Sequence, residues 1–202
     1  MAINTIIFDL GVVLIDWNPR YLYRKLLKDE NEVTWFLENI CTGEWNDKQD
    51  AGRSFEEATA ELVDRFPEWE VPIRAWYDRW EETIGGSVKD SVDVLEQLKA
   101  LGKYKLYALT NWSESTFPWA LANFPFLHWF DGIVVSGVEK TRKPFPEIYQ
   151  ILFDRYQVDP QQALFIDDNI KNIEGGKKMG LHTIHFTSPD QMKQELNALR
   201  IM

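Results

Sequence analysis

With 202 residues, 45% of them apolar and 27% charged, the chain has the composition of a globular protein: one domain with an insertion, or two small domains. Thirty-two acidic side chains against 22 basic ones give a formal charge of −10, which argues against a nucleic-acid partner, because phosphate backbones are held by clustered Lys and Arg. No apolar run reaches the roughly 20 residues that span a bilayer, the start Met1-Ala2-Ile3-Asn4-Thr5 has no basic segment or cleavage site, and Cys41 is the single cysteine. The expectation is a cytoplasmic protein without a membrane or nucleic-acid partner, monomeric or homodimeric.

Ile3, Ile6, Ile7 and Phe8 form a short apolar run of the kind that suits a strand covered on both faces, and the run ends on Asp9, with Gly11 two residues later. Asp16-Trp17-Asn18-Pro19 is turn-like, with Pro19 placed to start a helix. Val33, Phe36, Leu37 and Ile40 predict a helix over Glu32 to Cys41. Thr42 to Asp47 reads as a polar loop carrying Trp45. Ser54 is a good N-cap for a helix with Phe55, Ala58, Leu62 and Val63. Pro72 opens another, with Trp76 and Trp80 at i and i+4, which favours packing inside the helical layer over ligand contact. Gly85-Gly86 ends it.

Beyond Gly86 strand and helix alternate. Helices are predicted over Asp90 to Leu101 (stopped by Gly102), Glu114 to Asn123, Phe145 to Tyr156, Lys171 to Met179 and Pro189 to Leu199. Strands are predicted over Tyr104 to Leu109, Gly132 to Ser136, Ala163 to Ile166 and Leu181 to Phe186. This alternation implies an α/β fold with a parallel sheet and helices on both faces. The all-helical stretch inserted after the first strand would overhang the C-terminal ends of the strands as a lid.

Four features carry chemistry. Asp9 sits where open α/β sheets bind ligands, although an Asp there also serves as an ordinary cap or turn residue. Asp167-Asp168 is a pair of adjacent carboxylates that repel each other unless a cation lies beside them. The pair is either a Mg²⁺ site or one helix cap beside one solvated acid. Thr110-Asn111 ends a strand with a hydroxyl and an amide that suit anionic oxygens or a plain turn. Lys143 precedes Pro144, which restrains its backbone and would help aim its ammonium, yet three basic residues in four positions, Lys140, Arg142 and Lys143, also suit a solvated surface.

In this order, Asp9, Thr110-Asn111, Lys143-Pro144 and Asp167-Asp168 resemble the four motifs of the haloacid dehalogenase-like hydrolase superfamily, and the match spans almost the whole chain. The run Asp9-Leu10-Gly11 with Asp16 seven residues on is similar to bacterial sugar-phosphate phosphatases of that superfamily, including the α-glucose-1-phosphate type. The resemblance implies a Rossmann-like parallel sheet of order 5-4-1-2-3, a catalytic core over residues 1–16 and 87–202, and a helical cap over 17–86. It implies Asp9 as a nucleophile that takes up a phosphoryl group, Thr110, Asn111 and Lys143 as holders of the phosphoryl oxygens, and Lys143 as the neutraliser of charge on Asp9. Mg²⁺ would be held by Asp9, the Gly11 carbonyl and Asp168, with Asp167 direct or through water. One departure stands out: most phosphatases of this kind carry an acid two positions after the nucleophile, and here that position is Gly11. Asp16 is a candidate replacement. Trp45 could stack on a sugar or pack beneath its loop. The expected substrate is a small phosphorylated metabolite, and the alternatives are a metal-free 2-haloacid dehalogenase and a non-catalytic phosphate-ligand binder.

Overall fold

The computed structural model describes residues 3–202; Met1 and Ala2, with which the expected core begins, lie outside the described residues. Its strands are β1 (Thr5–Phe8), β2 (Ile15–Trp17), β3 (Ile84–Ser87), β4 (Lys105–Thr110), β5 (Gly132–Val135), β6 (Ala163–Asp167) and β7 (His182–His185). Five of them form one sheet in the order β5-β4-β1-β6-β7, all parallel. Counted among themselves along the chain, these five read 5-4-1-2-3 from the β7 edge.

The apolar runs are continuous because the sheet is covered on both faces. Ile6 and Phe8 of β1, Leu106 and Ala108 of β4, and Leu164 and Ile166 of β6 enter one core cluster. Their alternating neighbours Ile7, Tyr107, Leu109, Ala163 and Phe165 enter the other. The period of two along each strand divides the side chains between the layers of helices. Those helices are Lys89–Leu101, Phe117–Asn123, Pro146–Tyr156, Ile170–Lys178 and Pro189–Ala198.

The inserted segment has its own core, in which Leu22, Tyr23, Val33, Phe36, Ile40, Leu62 and Trp76 pack together. Its second helix is Glu30–Asn39, two residues earlier at each end than its apolar pattern predicts, because the Asp29 carboxylate caps the N–H groups of Asn31 and Glu32. Thr42 to Asp47 is not a loop. Thr42 caps a helix over Gly43–Asp50, accepting from the N–H of Trp45. Gly85-Gly86 does not merely interrupt a helix either: β3 pairs antiparallel with β2, so a short two-stranded ribbon joins the inserted helices to the sheet.

Candidate active site

Register places the acids together. Phe8 of β1 lies level with Ile166 of β6, so the next residues, Asp9 and Asp167, leave adjacent strands side by side. Thr110 closes β4 on the other flank of β1. Carboxylate oxygens of Asp9, Asp167 and Asp168 lie within 4.8 Å of one another.

Lys143 is the counter-charge. Its side chain is fully buried, and Nζ sits 2.9 Å from Asp9 Oδ1 and 2.6 Å from Asp167 Oδ2. The alternative of a solvated basic surface is therefore overturned for Lys143. The site nevertheless holds three carboxylates and one ammonium. Burial, with Asp167 and Asp168 adding to it, pushes Asp9 from its ordinary 3.8 up to about 8 against the pull of Lys143. Burial and Asp167 also raise Asp168. For Lys143, burial disfavours the charged form, but Asp167 and Asp9 outweigh it and the ammonium is held above its usual range. This excess of negative charge, built from hard oxygen donors, fits a divalent cation such as Mg²⁺.

Each acid is differently committed. Asp9 Oδ1 accepts from the Leu10 N–H at 2.7 Å and from Lys143, which leaves Oδ2 without a protein partner among the described residues. Asp167 is fully occupied: Lys143 holds Oδ2, the Asn169 N–H holds Oδ1 at 2.8 Å, and Asn172 Nδ2 donates to both oxygens at 3.1 Å. Asp168 faces the cavity with no such brace. The Gly11 carbonyl already accepts from the Val13 N–H at 2.7 Å, with a second lone pair to spare. Thr110 Oγ1 is buried without a hydrogen-bond partner among the described residues, a costly state that a bound anion would relieve.

Two expectations, for Asp16 and Trp45, need correction, and Asn111 has a protein partner besides the cavity. Its Oδ1 accepts from the Lys143 N–H at 2.8 Å and Nδ2 donates to the Lys143 carbonyl at 3.0 Å. The amide aims Lys143 while still lining the cavity. Asn111→Ala should accordingly lower the melting temperature by about 2–8 °C, since two hydrogen bonds to buried backbone are lost, and reduce turnover with little change in KM; thermal melts and steady-state kinetics check this. Asp16 does not line the cavity. Its carboxylate accepts from the Tyr21 hydroxyl at 2.8 Å and lies so close to Gly85 that a Cβ there would meet it at 2.2 Å. Trp45 is buried in the inserted core, edge-on to Trp76, with Nε1 donating to the Ala58 carbonyl, so it offers no face to a ligand.

A cavity of about 250 Å³ lies between the strand ends and the inserted helices. Asp9, Gly11 and Asp168 form its floor, and aromatic side chains, Trp17, Trp76, Tyr77, Trp80 and Trp112 among them, form its walls. Trp76 and Trp80 thus serve both packing and cavity, and Trp80 belongs to the sheet's core, 5.7 Å from Trp112 between ring centroids. The roof is one face of the helix Gly43–Asp50, with Gly43, Asn46, Asp47 and Asp50 at i, i+3, i+4 and i+7. That face escapes a search for apolar periodicity because it is polar. Its one signal in the sequence is the Thr42 cap. Asp47 Oδ2 meets Arg142 Nη2 at 2.9 Å, and Arg142 also donates to the Lys143 carbonyl, tying roof to floor.

A family model for haloacid dehalogenase-like hydrolases matches residues 3–180. D-ribitol-5-phosphate phosphatase of Bacteroides thetaiotaomicron is 23% identical over 98% of both chains, and (S)-2-haloacid dehalogenase 4A of Burkholderia cepacia is 30% identical over 48% of this chain and 42% of its own. A stretch of 70 residues is 37% identical to acyl-CoA dehydrogenase family member 10 of Mus musculus, but the chain spans only 6% of that protein's length. Among solved structures, the fold is shared with an enzyme of B. thetaiotaomicron in complex with magnesium and inorganic phosphate, at a TM-score of 0.69, 24% identity and coverage of 92% and 95% of the two chains. It is shared equally with a dehalogenase in an intermediate complex, at a TM-score of 0.70, 19% identity and coverage of 92% and 85%. With its matched length and its strand-end acids around a buried lysine, the chain belongs to the haloacid dehalogenase-like hydrolases.

Proposed function

We propose that this enzyme is a Mg²⁺-dependent phosphatase of small phosphorylated metabolites, of the sugar- or polyol-phosphate class. The observation that carries the reading is the convergence of Asp9, Asp167 and Asp168 within 4.8 Å around a single ammonium. Displacing halide from a haloacid requires one nucleophilic carboxylate and no cation. A third acid beside it would only raise the pKa of that nucleophile, whereas a divalent ion would lower it into the working range. The relative named for a polyol phosphate, the cavity's size and its polar roof between aromatic walls support the substrate class.

Asp9, Asp168 and the Gly11 carbonyl would hold the ion, with the fully occupied Asp167 bracing the site from behind. Bound there, Mg²⁺ supplies positive charge against the phosphoryl oxygens. Asp9 Oδ2, the oxygen with no protein partner, attacks phosphorus, and the carboxylate becomes an aspartyl-phosphate. Lys143 holds the other oxygen of Asp9 and presents its charge to the phosphoryl group. Thr110 Oγ1 donates to a phosphoryl oxygen. Water then releases phosphate and restores the carboxylate.

The test is phosphate release from a panel of sugar and polyol phosphates and p-nitrophenyl phosphate, with Mg²⁺ and with EDTA. Release should fall at least about 100-fold in EDTA and return when Mg²⁺ is restored. Release that ignores EDTA would overturn the reading, as would chloride release from 2-chloropropionate in its place.

A further inference from the structure

An alkyl phosphate does not leave readily as an alkoxide; the departing oxygen needs a proton. Resting on the phosphatase reading above, the question becomes which cavity group can carry one. Lys143 is locked between Asp9 and Asp167 with no exposed surface. Asp168 stands in the carboxylate cluster on the floor. Asp47 is ion-paired to Arg142. The Tyr77 hydroxyl is pushed upward by burial and is too weak an acid. Beside Asp9, Gly11 offers only open space.

Asp50 is different. It projects from the last turn of the roof helix into the same cavity as Asp9, on the face shared by Asn46 and Asp47. No cation lies within ion-pair distance among the described residues. Its single side-chain hydrogen bond is from Asn46 Nδ2 to Oδ2 at 3.0 Å, and Oδ1 has no protein partner. The charged and titratable groups around it are Asp47 on its own helix, Arg142 and Lys143 from the loop after β5, and Tyr77 on the helix Glu70–Asp78. We infer that Asp50 is the general acid, delivered to the leaving oxygen by the inserted helices rather than by the catalytic strand.

The step balances as follows. Asp9 Oδ2 bonds to phosphorus as the bond from phosphorus to the leaving oxygen breaks, and that oxygen takes the electron pair and the proton of the Asp50 carboxyl. The product alcohol departs and Asp50 is left as a carboxylate. In the second half Asp50 takes a proton from the water that attacks phosphorus, the bond to Asp9 breaks, and both acids return to their starting forms. Burial, then the Asp47 charge, lift Asp50 to about 7 against Arg142 and Lys143, so a protonated fraction is present at neutral pH.

The experiment compares the first-turnover rates of wild type, Asp50→Asn and Asp9→Asn across substituted phenyl phosphates, from 2,4-dinitrophenyl to phenyl phosphate, with Mg²⁺. The dinitrophenolate leaves without a proton; phenolate does so poorly. Asp50→Asn should leave the 2,4-dinitrophenyl rate within about threefold of wild type and slow phenyl phosphate by about 100-fold or more, with the pH dependence on phenyl phosphate flattened. Asp9→Asn should abolish both. Equal losses on the two substrates, or no loss on either, would overturn the assignment of Asp50 while leaving the phosphatase reading intact. A wild type inert toward every ester would fail that reading itself, and the assignment with it. Asn at position 50 keeps the shape, and a thermal melt confirms that the variant folds.

Discussion

Asp9→Asn should abolish phosphate release, by at least about 10⁴-fold, and at the same time raise the melting temperature of the metal-free protein near pH 8 by several degrees. The two effects share one cause. Asp9 ionises in the unfolded chain at its ordinary 3.8 but only at about 8 in the folded one. Between those values the folded state holds a proton that the unfolded state has lost, so stability falls as pH rises through that window. Removing the carboxyl removes that slope. Lys143 keeps Asp167 at 2.6 Å and does not become an orphan. The check is a set of melts of both proteins in EDTA at intervals from about pH 4 to about pH 8. The wild-type curve should descend relative to that of Asp9→Asn, and parallel curves would show that Asp9 carries no such burden.

Lys143→Met should have the opposite effect on stability and the same effect on activity. Its ammonium lies between two buried carboxylates, and removing one partner of a buried pair costs about 3–5 kcal/mol. For a chain of this length the melting temperature should fall on the order of 10 °C. A fall of no more than a few degrees would mean that Lys143 contributes packing, through its contact with the Phe165 ring, rather than charge.

The sheet was legible because most of its strands are apolar runs bounded by turn or capping residues, and the acids were legible because they stand at the ends of such runs. Asp9 and Asp167 could be singled out before any fold was known by their place at strand ends, but each alone also suits a cap or turn, and it was the ordered set of four motifs that separated the readings. Lys143 was harder: in sequence it sits among Lys140, which is exposed, and Arg142, which is half-buried, and only the three-dimensional path that drives it beneath Asp9 separates it from them. The loop partner of Asn111 was hidden for a related reason. An amide at a strand end suits a ligand and a neighbouring loop equally, and here it lines the cavity while bonding the loop around Lys143.

The roof was not legible. Gly43–Asp50 buries only Trp45 and Gln49, so it lacks the apolar stripe by which helices are read, and its stability comes from the Thr42 cap and from packing against its neighbours. Asp47 passed as a loop residue and Asp50 drew no notice in consequence. The β2–β3 ribbon was hidden by Gly85-Gly86, where Gly86 adopts a φ of +117° that a strand of ordinary residues would avoid. Asp16 drew notice by its spacing from Asp9, but that ribbon turns it toward Tyr21 and away from the cavity.

The central claim is that Asp9 takes up the phosphoryl group. The most direct test mixes the Mg²⁺-loaded protein with 2,4-dinitrophenyl phosphate, quenches it in acid within the first turnover and maps modified peptides by mass spectrometry. A phosphoryl group on the peptide containing Asp9, absent when Asp9→Asn is treated alike, is the predicted result. Phosphate released at full rate with no phosphorylated Asp9 at any quench time, or an Asp9 ester formed only from a 2-haloacid, would contradict it.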